Sequence, residues 1–153
     1  METADSNPVR SLGGNLAAFV LPPLLLNAVI FGLGWDRRSV PNPYLPPGWV
    51  VGTIWIVLFV AMGIARWLVV RNTEKRHNKR LAILGLLCML YPLYTMGLGN
   101  PTIGLACGFL TSLYAIWIMP GLLRVSRTAA CLIGLVAVWL IYASMQLSRS
   151  MHP

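Results

Sequence analysis

Hydrophobic residues fall into five long runs, which short polar or proline-rich segments separate. A helix of about 20 apolar residues is long enough to cross the hydrocarbon core of a bilayer. The runs therefore predict five membrane-spanning helices, at about residues 15–34, 48–70, 80–98, 102–120 and 128–148. The short connections require neighbouring helices to pack antiparallel. We predict an all-α membrane protein in which residues 1–153 form one domain, a five-transmembrane-helix bundle.

Prolines bear on the course of the first and fourth predicted helices. Pro22 and Pro23 lie in the middle of the first and should break or kink it. In lipid such a kink requires other groups to bond the freed carbonyls, and Asn27 is one turn away. Pro120 is expected to end the fourth helix.

The composition excludes an ordinary water-soluble domain. Hydrophobic residues make up 57% of the chain and charged residues only 10%, against about 25% charged in a soluble domain. A net charge of +8 would suggest nucleic acid as a partner in a soluble protein. Here the basic residues lie in the loops between apolar runs, where membrane proteins carry their topology signal. We therefore expect a lipid bilayer, and no nucleic acid, as the partner.

Lys and Arg are distributed unequally between the two ends of the predicted bundle. The end that includes the N-terminus has nine, namely Arg10, Arg66, Arg71, Lys75, Arg76, Lys79, Arg80, Arg124 and Arg127. The other end has three, namely Arg37, Arg38 and Arg149. We expect a multi-pass protein of a bacterial membrane; if that is the inner membrane, the positive-inside rule places the N-terminus in the cytoplasm.

Small residues four apart allow close approach of helices. Three such pairs occur, Ala61/Ala65, Gly104/Gly108 and Ala130/Gly134. They can serve packing within the bundle or contact between two copies in a homodimer.

Reactive side chains are scarce in the apolar runs. No Asp, Glu, Lys or His lies inside a predicted helix, which argues against proton-coupled export. His77 and His152 lie outside the runs, and the three cysteines form no metal-ligand motif. We therefore expect no metal site. No nucleophile has a nearby base either, so an enzymatic function is less favoured than a binding function.

Aromatic residues supply the candidate binding chemistry. Trp49 and Trp67 lie at predicted helix ends, where indoles form interfacial belts. Trp55 and Trp139 lie deeper, where few polar neighbours are available. Deep indoles suit an apolar pocket for a flat aromatic ligand.

One segment has a specific signature. Residues 46–58 read PPxWVxGxxWxxL, and AMG follows at residues 61–63. This segment resembles the signature of the TspO/translocator-protein family, whose members are also called tryptophan-rich sensory proteins. Trp35 is at the position of the tryptophan that opens the family's first loop. Chain length and helix number agree with the family.

The resemblance implies a pocket beneath the first loop that binds porphyrins and haem and, in animal members, cholesterol and benzodiazepine-site ligands. Trp55 and Trp139 match the pocket tryptophans of helices 2 and 5. Pro46 and Pro47 would pre-set the first turn of helix 2, and their loop would form a lid. The expected ligand-binding set is Trp35, Pro46, Pro47, Trp49, Trp55, Met62, Cys88, Tyr91 and Trp139.

The chain also departs from the family pattern. Cys88 and Tyr91 replace an asparagine and a tryptophan of helix 3, and Leu135-Val136 and Leu147 replace Pro-Tyr and asparagine of helix 5. The leading hypothesis is a membrane protein without an obligatory cofactor that binds a tetrapyrrole or a related flat ligand, as sensor, carrier or scavenger. The alternatives are a photo-oxidative porphyrin-degrading enzyme and a membrane scaffold without a pocket.

Overall fold

A computed structural model describes residues 11–34, 46–72, 75–97 and 100–151. These residues form helices and no strand, in the order α1 (Leu12–Gly32), α2 (Gly48–Arg71), α3 (Lys75–Pro92), a π-helix (Leu93–Gly97), α4 (Pro101–Val125) and α5 (Arg127–Met151). Helices α1, α2, α4 and α5 are long and apolar enough to cross a membrane. The described chain is therefore an all-α protein with five α-helices and four candidate membrane spans.

Helix α3 starts earlier than predicted. It begins at Lys75 rather than near residue 80, and its first six residues are KRHNKR. Lysine and arginine favour helix, so the helix begins before its apolar part. The prediction from the hydrophobic pattern covered only that apolar part. Because these basic residues lie within α3, it is not among the four helices that are apolar enough to be candidate membrane spans. The π-helix follows Pro92 directly, where the backbone lacks a donor.

The prolines inside α1 and α4 do not end these helices. Helix α1 continues through Pro22 and Pro23, so the predicted break is absent. Helix α4 continues past Pro120 to Val125, so the prediction that Pro120 ends it is wrong. Pro120 is exposed on the outside of the bundle, and helices in lipid tolerate proline because local adjustments satisfy the freed carbonyls.

Short connections and side-chain caps fix where the helices start. Ser126 alone separates α4 from α5; its N–H donates to Leu122 O at 2.7 Å and its hydroxyl accepts from Ala129 N at 3.2 Å. The side chain of Asn100 accepts from the first free N–H groups of α4. Both residues are favoured caps because they satisfy donors that lack a partner inside the helix. The turn between α4 and α5 holds the two helices antiparallel.

Small residues hold the helices together inside the bundle. A side chain at Gly63 would meet the backbone of Leu16 at 3.3 Å, which brings α2 against α1. Gly108 lies against Ser144, which brings α4 against α5. Ala65 and Ala130 are buried in the core, together with Met62, Leu84, Ile118, Leu122, Ile133, Val136 and Leu140. The small-residue pairs therefore serve packing within the bundle, and the homodimer stays a prediction.

Candidate functional site

Four residues from four helices lie at one depth, near the end of the bundle opposite the basic segment. Trp55 is seven residues inside the start of α2, and Gly108 is seven inside the start of α4. Ser144 is seven residues before the end of α5, and Tyr91 is the residue before the end of α3 at Pro92. Because neighbouring helices are antiparallel, these positions share a level about 10 Å from that end.

An aromatic cluster connects α2 to α3 at this level. The rings of Trp55 and Tyr91 are 5.6 Å apart between centroids and tilted by 37°. Phe59, one turn further along α2, is 5.8 Å from Trp55 with a tilt of 32°. These separations are in the range that favours aromatic pairs. We call Trp55, Phe59 and Tyr91 the aromatic cluster.

Gly108 of α4 lies opposite both Tyr91 and Ser144. A Cβ atom at Gly108 would lie 3.5 Å from Tyr91 Cε2 and would collide with the Ser144 hydroxyl. Gly108 is therefore the point at which α3, α4 and α5 meet. The Ser144 hydroxyl is buried and has no hydrogen-bond partner among the described residues.

Replacing Ser144 with alanine should stabilise the ligand-free protein by about 1 kcal/mol, since an unsatisfied buried hydroxyl costs about that much or more. The measurement is the free energy of unfolding in mixed micelles titrated with a denaturing detergent. Ser112→Ala is the matched control, because the Ser112 hydroxyl donates to Phe109 O at 2.8 Å and its loss should not stabilise. A loss of stability in Ser144→Ala would contradict the conclusion that the Ser144 hydroxyl is unsatisfied.

A narrow crevice lies between α1 and α2 beside the aromatic cluster. Its volume is about 10 Å³, and it is lined by Val20, Pro23, Leu24, Asn27, Trp55, Ile56 and Phe59. That volume is enough for about one water molecule. The Asn27 amide forms no hydrogen bond with any described residue, so the prediction that it serves the carbonyls freed by the prolines is wrong. Asn27 instead places a polar group beside an indole.

The other predicted site residues are not all brought together. Trp139 is five residues deeper than Ser144 on α5, about 8 Å. Its ring contacts Tyr142 at 5.4 Å, and no ring contact joins it to Trp55 within the described chain. The Trp139 Nε1 is buried without a partner in that part of the chain. Both indoles pack against the same buried core, Trp55 with a ring contact to Tyr91 and Trp139 with a ring contact to Tyr142.

The remaining candidates have different surroundings. Trp49 is 77% exposed at the start of α2 and faces away from the aromatic cluster. Pro46 and Pro47 precede α2, whose cap is Pro47, so they define its entry rather than its first turn. Met62 and Cys88 are buried in the packed core. Trp35 and the rest of the proposed lid, residues 35–45, lie outside the described residues.

Positive charge lies at the other end of the bundle. Arg71 lies over the Trp67 ring at 4.8 Å, and Arg80 lies over the Trp117 ring at 4.4 Å. Such cation–π pairs are typical of helix ends in a membrane interface. The described chain has no acidic side chain at all, because Glu2, Asp5, Asp36 and Glu74 are outside it. The described residues that line the crevice with Trp55 carry no charge.

Comparison with protein families shows the family to which this chain belongs. The sequence model of the TspO/MBR family matches residues 16–148, which is most of the chain. The chain belongs to the TspO/MBR family. No curated protein matches it significantly.

Family membership and the four apolar helices establish an integral, multi-pass membrane protein that resides in a lipid bilayer. Membership also supports a ligand-binding role in the membrane. In this TspO/MBR protein the family signature contributes Trp55 to the aromatic cluster, where its ring contacts Tyr91. Asn27 and Ser144 were not predicted as site residues. A polar residue within an apolar run was the available signal for Asn27.

Proposed function

We propose that this TspO/MBR protein binds a flat, hydrophobic ring ligand of the tetrapyrrole class, a porphyrin or haem, at the aromatic cluster, as sensor, carrier or scavenger. The observation that carries the proposal is the position of Trp55. Its indole belongs to the aromatic cluster and also lines the crevice that holds the free Asn27 amide. Large apolar area with one polar group beside it is the usual composition of a small-molecule site.

The chemistry of the cluster suits a planar conjugated ring. An offset or tilted aromatic contact contributes about 0.5–1.5 kcal/mol beyond the burial of apolar area. Trp55, Phe59 and Tyr91 present three such faces on two helices. The Asn27 amide can donate or accept one hydrogen bond to a polar edge of the ring.

Entry of such a ligand requires movement of α1. The crevice of about 10 Å³ is far below the roughly 300 Å³ or more of a ligand pocket. Helix α1 is the least buried of the four candidate spans and packs mainly against α2. Separation of α1 from α2 therefore disturbs less of the core than movement of any other candidate span. We infer that the pocket forms when α1 moves outward.

We also propose that α3 is the fifth membrane-spanning helix. Together with the π-helix it extends over residues 75–97, and it is apolar from Leu81 onward. Its basic first turns then lie in the interface. The excess of Lys and Arg at this end favours a bacterial inner membrane with a cytoplasmic N-terminus.

The test of ligand binding is a titration of the purified protein in mild detergent with protoporphyrin IX, followed by the absorbance of the porphyrin. Absorbance avoids the change in fluorescence that any tryptophan substitution causes. Trp55→Phe should weaken binding about tenfold, because a smaller ring loses contact area with the ligand.

Trp117→Phe is the matched control, since Trp117 is exposed and lies under Arg80 at the other end of the bundle. Its affinity should equal that of the unmodified protein. Equal weakening in both variants, or porphyrin binding that does not saturate, would refute the assignment to the aromatic cluster.

A further inference from the structure

A second depression lies on the lateral surface of the bundle, where α1, α2 and α3 meet. Its volume is about 240 Å³, and its apolar walls include Phe19, Pro22, Phe59, Leu86 and Met89. Pro22 and Leu86 are exposed, so this lateral groove opens to the outside of the bundle. In a membrane protein the outside at this depth is lipid.

One charged residue, Arg66, lines the groove. Its Nε donates to Asn78 Oδ1 at 2.6 Å, and its guanidinium carbon lies 5.8 Å from the centroid of the Phe19 ring. A guanidinium has five N–H donors, so this contact uses only one. The two Nη groups donate to no acceptor among the described residues. No carboxylate in the described chain neutralises Arg66.

The groove is polar at one end and apolar along its length. Arg66 is five residues before the end of α2 and Asn78 is three after the start of α3, so both are near the basic end. Phe59 is seven residues from Arg66, about 10 Å further into the membrane. The exposed Arg71, Arg76 and Lys79 surround the same end of the bundle, and such residues concentrate anionic lipid beside it.

We propose that the lateral groove is a binding site for one anionic phospholipid. The phosphate accepts hydrogen bonds from the free Nη groups of Arg66, and one acyl chain lies along Phe19, Pro22, Leu86 and Met89. Arginine suits this role because its planar fork matches two phosphate oxygens at once. The proposal does not rest on the tetrapyrrole function, although the groove and the crevice beside Trp55 share Pro23 and Phe59.

The experiment is native mass spectrometry of the full chain released from a neutral detergent, with phosphatidylglycerol or phosphatidylcholine titrated in. One phosphatidylglycerol should bind about tenfold more tightly than phosphatidylcholine. Arg66→Gln should abolish that difference, because it removes the positive charge that attracts the net negative headgroup of phosphatidylglycerol, whereas the choline of phosphatidylcholine already neutralises its own phosphate. Arg71→Gln is the control, because it removes one positive charge from the same end of α2. This variant should still bind phosphatidylglycerol more tightly than phosphatidylcholine.

A second variant tests the groove without changing charge. Ala82 is exposed and lines the groove, so Ala82→Phe should exclude the acyl chain and weaken phosphatidylglycerol binding as much as Arg66→Gln does. Water-soluble glycerol 3-phosphate should not compete, since it lacks the acyl chain.

Three results would overturn the proposal. Equal loss in Arg66→Gln and Arg71→Gln would indicate diffuse attraction to the basic end. Competition by glycerol 3-phosphate would indicate a small-anion site. A protein that is dimeric at every lipid concentration, and monomeric in Ala82→Phe, would show that a second copy covers the groove.

Discussion

Gly108→Leu should destabilise the bundle by about 2–3 kcal/mol, the usual cost of forcing extra volume into a packed core and the largest loss of stability expected here. Even a single Cβ at this position would collide with the Ser144 hydroxyl, and it would lie 3.5 Å from Tyr91 Cε2. A leucine must therefore push α4 away from both α3 and α5. The free energy of unfolding in mixed micelles measures the effect.

Gly52→Leu is the matched control for this substitution. Gly52 is also inside a candidate membrane span, and a Cβ atom there would meet nothing within 4 Å. Leucine is a better helix former than glycine by about 0.5–1 kcal/mol, so this variant should be unchanged or slightly more stable. Similar stabilities of the two leucine variants would contradict the close approach at Gly108.

Leu24→Trp should weaken tetrapyrrole binding by roughly 10- to 100-fold, the factor that corresponds to overpacking by about 1.5–3 kcal/mol. Leu24 lines the crevice from α1 and is partly exposed. The indole of the introduced tryptophan is larger than the leucine side chain, and it fills the space between α1 and Trp55 that the ligand must enter. The measurement is the same absorbance titration with protoporphyrin IX, with helix content checked by circular dichroism.

Leu25→Trp provides the comparison, because Leu25 is the next residue on α1, is 69% exposed and does not line the crevice. It adds the same ring to the lipid-facing side and should bind porphyrin normally. Normal binding in Leu24→Trp would show that the ligand does not enter between α1 and α2, even if Trp55→Phe had weakened binding.

The helices were largely predictable because lipid imposes a simple length rule. All five predicted segments are helical, and α2 ends within one residue of its prediction. The wrong predictions concern helix ends that do not coincide with the ends of the apolar runs. Helix α3 starts five residues early because KRHNKR is helical without being apolar, and α4 passes Pro120 because that proline faces outward.

The site was predictable within one helix and less so between helices. A helical period puts Phe59 one turn from Trp55 on the same face, and the two rings do make contact. The contact of Trp55 with Tyr91 depends on how far α3 slides along α2, which local periodicity does not determine. The same limit applies to Trp139, which the family resemblance assigns to the same pocket as Trp55 and whose ring contact within the described chain is with Tyr142.

Pro23 and Phe59 line both the crevice beside Trp55 and the lateral groove, so they form a shared wall between the two. A ligand that moves α1 away from α2 must displace this wall and change the shape of the groove. Thermodynamic linkage then makes the effect reciprocal: whatever factor the ring ligand applies to lipid affinity, the lipid applies to ring affinity. With both proposed ligands, the composition of the surrounding bilayer would act as an allosteric effector of the protein, and we expect ligand affinities measured in different lipids to differ systematically.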